Sequence, residues 1–284
     1  MAHAPQKDGT PLPESVLDST LEALYGKTAM VTQRKRYSRL MAAVERPSAS
    51  SAMVVISAPG RTELGGNHTD HNHGRVLAAA VDLDCVAMAV AAQDRQVEIH
   101  SAGYPEPILV DLSDLAPRPA ERGRPEAFVR GVAAGLADMG CRIGGLTARV
   151  DSTVLPGSGL SSSAAFGVLL GGIFNHLFNA GTTAALDLAR VAQRAENEFF
   201  GKPCGLMDQL ASALGGVVHL DFAPPDAPDV EPIDVDFTTA GCQLTVVNTG
   251  GSHAELIPAY TAITREMQAV ASAMGKKVLR GLTM

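Results

Sequence analysis

Residues 155–178, LPGSGLSSSAAFGVLLGGIFNHLF, carry the chain from the end of a strand through a loop of small residues into an apolar helix. Gly157, Ser158, Gly159, Leu160, Ser161, Ser162 and Ser163 supply flexible backbone and closely spaced N–H groups where a helix begins, with its positive dipole end pointing into the loop. That is the physics of phosphate binding. No Gly-Lys-Ser/Thr follows at the spacing of a Walker A loop. Taken alone, the loop is equally well an ordinary strand-to-helix turn capped by serine. Beyond it, Phe166, Leu170, Ile173 and Leu177 fall on one side of the predicted helix.

On the amino-terminal side, alternating Leu146, Ala148 and Val150 predict a strand, and residues 125–139 a helix. Apolar runs over 76–92, at Val97 and Ile99, and at Ile108, Val110 and Leu112 predict further strands. MVVISA (53–58) reads as a buried strand ending at Pro59 and Gly60. Two helical patterns precede it, one through Val16, Leu17, Leu21 and Leu24, the other over 33–46, where Arg34, Lys35 and Arg36 read as a solvated face. Residues 1–13 form a proline-rich arm. On the carboxy-terminal side, a helix over 183–200 presents Leu188, Ala192, Ala195 and Phe199 to the core and stops at Gly201 and Pro203. The Pro/Asp-rich stretch 224–232 is read as a domain boundary, followed by a strand at 243–248 and a helix over 254–274. The expected organisation of this α/β (α+β) chain is therefore an arm with helices (1–50), a β-rich domain (51–223) and a second domain (234–284), too small to stand alone and read as incomplete.

Composition narrows the function classes. The 284 residues are 46% hydrophobic and 19% charged, which is globular composition. A formal net charge of -7 gives no overall basic field for a nucleic-acid backbone, so a small anionic ligand needs a local cationic or amide-lined pocket. The apolar stretch around 164–174 is far short of the ~20 residues that span a membrane, and the first residues lack the apolar core of a secretory signal. Four cysteines with no C-x-x-C pair suggest neither a zinc knuckle nor a disulfide scaffold. A soluble, cytoplasmic monomer with small-molecule substrates and no nucleic-acid or membrane partner is expected.

Two further segments hold chemistry. SAPGRTELGGNHTDHNHG (57–74) leaves a buried strand with an arginine, carboxylates, amides and three histidines, more polar groups than solvation calls for. Arg61 alone could be a surface ion pair, and Glu63 and Asp70 could simply shape the turn. In AENEFFGKPCGLMDQLASALGG (195–216), Asp208 stands among apolar Leu206, Met207 and Leu210 at the start of a helical run, as a cap or as a functional acid or base.

Together the three segments resemble the GHMP small-molecule kinases, and within them the galactokinases. SAPGRTELGGNHTDHN is similar to the galactokinase signature, PGSGLSSSAA to the family's phosphate loop, and ENEFFGKPCGLMDQ to the segment bearing its catalytic aspartate. The resemblance spans 53–221 and continues weakly through VVNTGGSHAELIPAY. It implies a two-domain fold: an amino-terminal domain like the second domain of ribosomal protein S5 and a ferredoxin-like carboxy-terminal domain, incomplete here. It implies ATP and Mg²⁺ as cofactors and phosphorylation of the anomeric hydroxyl of galactose. In that reading Asp208 and Arg61 are catalytic, residues 157–163 cradle the ATP phosphates, Ser163 and Glu196 support Mg²⁺, and Asn67, His68, Asp70, Gly205 and Tyr260 line the sugar pocket.

The chain departs from the family in three ways. Asn67 stands where the signature usually has glutamate, the paired arginines usual near Tyr260 are reduced to Arg265, and the third glycine motif is not in this sequence. Rival readings are a sugar or nucleotide sensor on a kinase scaffold, an inactive fragment, and a metal-dependent hydrolase using His68, Asp70, His71 and His73.

Overall fold

The structure, a computed structural model, describes residues 14–45, 51–237, 239–247 and 257–282. Its sheet is built around one long strand. β1 (Met53–Gly65) runs antiparallel to β2 (Arg75–Ala91) from Met53 opposite Val90 to Gly65 opposite Leu77. The other edge of β2 is shared end to end, with β5 (Leu146–Ser152) on Cys85–Ala91 and β6 (Val217–Asp221) on Arg75–Ala79. Outside β5 lie β3 (Gln96–Ser101), parallel to it, and β4 (Ile108–Asp111). Outside β6 lies β7 (Asp229–Ile233), which completes a seven-stranded sheet.

Both faces of the sheet are covered, which is why these strands read as continuous apolar runs. On one face Val86 and Met88 meet Leu21, Tyr25, Tyr37 and Leu40 of α1 (Glu14–Ala43). On the other, Cys85, Ala87 and Ala89 join the main core beneath α2 (Pro125–Asp138), α3 (Ser162–Phe178) and α4 (Ala185–Arg194). α5 (Met207–Leu214) closes a second cluster over Val76, Ala78, Val218 and Leu220.

Several expectations are corrected. β1 does not end at Pro59 and Gly60; the register shifts between Pro59 and Arg61 and the strand goes on to Gly65. Proline offers no N–H to the ladder, and the pairing is interrupted there, with residues 81–83 of β2 opposite Gly60, and resumes at Arg61. The two amino-terminal helical patterns form one element broken at Gly26 (φ 73°). Arg36 is buried, not solvated, while its neighbours Arg34 and Lys35 are exposed. α3 buries nearly its whole girth, not one side, because Gly167, Gly171 and Gly172 bring it close against Ala192, Leu188 and Ile56. The predicted helix over 183–200 is α4 followed by a π-helical turn, Ala195–Phe200.

In the stretch read as a boundary, residues 229–233 pair with β6. Residues 243–247, expected as a strand, are coil. The helix expected over 254–274 is α6 (Ile257–Ala273). The arm at 1–13 lies outside the described residues.

Candidate active site

The loop between β5 and α3 takes its shape from three left-handed residues, Gly157 (φ 75°), Gly159 (φ 79°) and Ser161 (φ 60°). For serine that conformation costs on the order of 1 kcal/mol and needs its surroundings to hold it. Ser161 makes no side-chain cap on α3. Its hydroxyl instead donates to Asp208 Oδ2 at 2.6 Å, so the simple capping account of the loop fails at this residue.

The register shift after Pro59, where residues 81–83 of β2 bulge opposite Gly60, supplies the next piece. Successive strand residues point to opposite faces, but a bulge sets two neighbours on one side. Here these are Gly60 and Arg61. A Cβ on Gly60 would lie 3.0 Å from the Leu160 carbonyl oxygen, so only glycine lets the loop come this near without displacement. The Arg61 N–H donates to that same carbonyl at 3.1 Å. Its guanidinium donates from Nε to Asp208 Oδ1 at 2.7 Å and from Nη1 to the Gly159 carbonyl at 2.9 Å. A surface ion pair is excluded, because Arg61 is buried.

Asp208, the second residue of α5, therefore spends its carboxylate on another strand and another loop, not on its own helix end. Burial alone would raise its pKa. The Arg61 charge and the hydrogen bonds from Arg61 and Ser161 outweigh burial and hold it below the usual carboxylate value. It stands ionised at neutral pH.

Next to this pair, Glu196 projects from the π-helical turn and is 1% exposed. Its Oε1 accepts from Ser163 Oγ at 2.7 Å and from Lys202 Nζ at 2.8 Å, and its Oε2 accepts from Gln209 Nε2 at 2.8 Å. Burial disfavours the Lys202 charge, but Glu196 overrides it and raises the pKa. One carboxylate and one hydroxyl are hard oxygen donors that suit a cation keeping water and substrate phosphates as its other ligands, which is how Mg²⁺ is usually held.

The 63–74 loop is fastened from below. Glu63 accepts the His68 N–H at 2.8 Å and faces His68 Nδ1 at 2.5 Å, which fixes the left-handed pair Asn67 (φ 59°) and His68 (φ 55°). Asn67 is exposed. Asp70 reaches α5, where its Oδ2 accepts the Met207 N–H at 3.1 Å. A Cβ on Gly205 would sit 1.8 Å from that oxygen, so the carboxylate occupies the space of a side chain. Asp70, Gly205 and Asp208 thus converge at the start of α5, while His68 is tied to Glu63. Tyr260 lies in α6, but its side chain is outside the described residues.

The metal-hydrolase reading is overturned by where the histidines go. His68 pairs with Glu63, His71 Nε2 lies 3.2 Å from Met267 Sδ, and Asp70 faces α5. Among the described residues no three His, Cys, Asp or Glu side chains converge as a metal cage. Sequence reasoning missed Lys202 and Gln209, which join Ser163 as donors on Glu196, although both lie within the segment quoted for Asp208.

The chain is similar to known proteins in sequence and in fold. The GHMP kinases N-terminal domain model matches residues 127–216, and the galactokinase galactose-binding signature matches residues 45–91. Residues 127–216 are thus similar to the amino-terminal domain of the GHMP kinases. Its relatives by sequence are galactokinases. That of Streptomyces coelicolor is 35% identical over 227 residues, covering 80% of this chain and 58% of that protein. That of Thermococcus kodakarensis is 32% identical over 225 residues, covering 79% and 58%. The chain thus spans less than two thirds of these relatives. Lactococcus lactis galactokinase complexed with galactose shares the fold, with a TM-score of 0.64 at 22% identity over 92% of this chain and 61% of that one. No helix among the described residues is long and apolar enough to cross a membrane.

Proposed function

We propose that this chain is the catalytic part of a galactokinase, which transfers the γ-phosphoryl group of ATP to the anomeric hydroxyl of galactose. One observation carries the reading: an ionised carboxylate, Asp208, is held by Arg61 and Ser161 directly against a left-handed glycine-rich loop. The reaction forms a bond between the anomeric oxygen and the γ-phosphorus and breaks the bond from that phosphorus to the β–γ bridging oxygen. Its products are sugar 1-phosphate and ADP.

Asp208 accepts the hydrogen bond, then the proton, of the anomeric O–H and aims that oxygen in line. A carboxylate with a depressed pKa is a weak base, so orientation is its larger contribution, as suits a loose phosphoryl-transfer transition state. Arg61 keeps Asp208 ionised and offsets charge developing on the transferred group. Residues 157–163 cradle the phosphates with backbone N–H groups. Ser163 and Glu196 would hold Mg²⁺, which screens the phosphate oxygens when bound. Asn67, His68, Asp70, Gly205 and Tyr260 form the sugar side, with Asn67 as an amide where glutamate is usual. The proposal includes a division into domains at 51–223 and 234–284, a cytoplasmic setting and a monomer.

The test is ADP release with a panel of free hexoses, beside direct sugar binding. ATP-dependent turnover of galactose supports the reading. Galactose binding with no ADP release makes the chain a sugar sensor, and neither binding nor turnover sinks the proposal.

A further inference from the structure

Lys202 puts a fixed positive charge where the proposed cation site lies. Its Nζ is 2.8 Å from Glu196 Oε1 and 3.4 Å from Ser163 Oγ, and those two oxygens are themselves hydrogen-bonded at 2.7 Å. The backbone explains how it gets there. Gly201 (φ 86°) ends the π-helical turn, and the N–H groups of Gly201 and Lys202 both donate to the Glu196 carbonyl at 3.0 Å. The chain doubles back on Glu196, and the Lys202 side chain returns to that residue's carboxylate. It is not sealed in. The Lys202 side chain is 39% exposed, whereas that of Glu196 is 2% exposed. Ser163 stands in the first turn of α3, next to the loop N–H groups, so the ammonium borders the surface on which phosphates would lie. An ammonium is a compact charge with three donors, and one proton bonded to Glu196 leaves others to offer.

We propose that Lys202 is a phosphate-binding residue of the nucleotide site. Its ammonium bridges Glu196 and the terminal phosphate of a nucleoside diphosphate, so that this chain binds nucleotide without needing a divalent cation. The inference rests on the kinase reading above and adds to it a residue that takes over part of the cation's electrostatic role.

The test measures ADP binding to the whole chain by calorimetry, in EDTA and in excess Mg²⁺, for the parent, Lys202→Gln and Lys202→Arg. Glutamine keeps a hydrogen-bond donor for Glu196 without the charge. The parent is expected to bind ADP in EDTA within a few-fold of its affinity with Mg²⁺. Lys202→Gln should lose about tenfold or more in EDTA, the worth of one charge-assisted hydrogen bond, and recover most of it with Mg²⁺. Lys202→Arg should retain metal-free binding. A parent that binds ADP only with Mg²⁺ overturns the role of Lys202 and leaves the nucleotide site standing, and the parent result needs no variant to fold. Equal binding by parent and Lys202→Gln in EDTA overturns it too. No ADP binding in either condition removes the nucleotide site and Lys202 together.

Discussion

Two buried arginine–aspartate pairs lie on opposite faces of the sheet, and they are built differently. Under α1, Asp84 accepts from Arg36 at 2.5 Å on one oxygen and from Tyr25 and Ser57, each at 2.5 Å, on the other, with Asp151 bracing the same arginine. Its side chain is 2% exposed. On the opposite face, Asp208 has one partner for each oxygen, Arg61 and Ser161, and its side chain is 27% exposed. The first pair is closed from solvent, with three side-chain donors on one carboxylate. The second keeps an accessible edge of a carboxylate that its neighbours hold ionised. A charge pair that pins a helix to a sheet can crowd its carboxylate with donors, whereas one that meets a substrate must keep an edge free.

The comparison breaks most clearly at Asp208. Asp208→Asn should lower galactose phosphorylation per folded molecule by about 10²- to 10⁴-fold, the usual worth of a positioned acid–base group, while lowering the thermal midpoint less than loss of the fully enclosed Asp84 does, because asparagine keeps the shape and the side chain is 27% exposed. Full turnover in that variant would remove Asp208 from the mechanism. Asp84→Ala should do the reverse, because it strands the buried Arg36. A loss of about 3–5 kcal/mol in urea unfolding is expected, with unchanged turnover per folded molecule.

Gly205→Ala should cost about 1–3 kcal/mol of overpacking or push Asp70 aside, and weaken galactose binding more than ADP binding. Equal losses for both ligands would detach Asp70 from the sugar side.

Titration sharpens the contrast. Burial and then the Asp84 charge raise the pKa of both tyrosines under α1, Tyr37 to about 12. Their contribution is whole below the ordinary tyrosine value of 10.0 and is lost as pH rises through the folded value. Asp208 behaves oppositely: its pKa is depressed, so its contribution is whole above 3.8 and fades as pH falls through the lower folded value. Urea midpoints against pH should therefore lose part of their alkaline dependence in Tyr37→Phe, with Tyr25 supplying the rest, and part of their acid dependence in Asp208→Asn. The smallest effect is expected at the exposed pair of Arg34 with Asp18, where Arg34→Ala should stay within about 1 kcal/mol of the parent.

The same contrast explains what could be read from the sequence. Arg61, Asp208 and the 157–163 loop were legible because each sits in a dense run of residues that packing alone does not call for. The strands were legible from their apolar content, but the continuation of β1 past Pro59 was not, since proline and glycine signal a stop and an interrupted ladder alike. Arg36 was illegible because a run of three basic residues has solvent as its ordinary destination, and only Asp84 and Asp151, far away in sequence, give the third one a reason to be buried. Lys202 was hidden for a similar reason: a lone lysine after a helix stop looks like surface until the chain is seen to fold back on Glu196.

The π-helical turn at Ala195–Phe200 sets a limit that composition does not express. A π turn holds one more residue than an α turn and swings the following chain by about 100° relative to an uninterrupted α-helix. Glu196 and Asp208 belong to different clusters, but a single segment of fixed count joins them. Every substitution within that segment leaves the count intact, whereas the loss of one residue between 197 and 200 would rewind the turn and carry Lys202 away from Glu196. This stretch should therefore accept changes of spelling far more readily than a change of length.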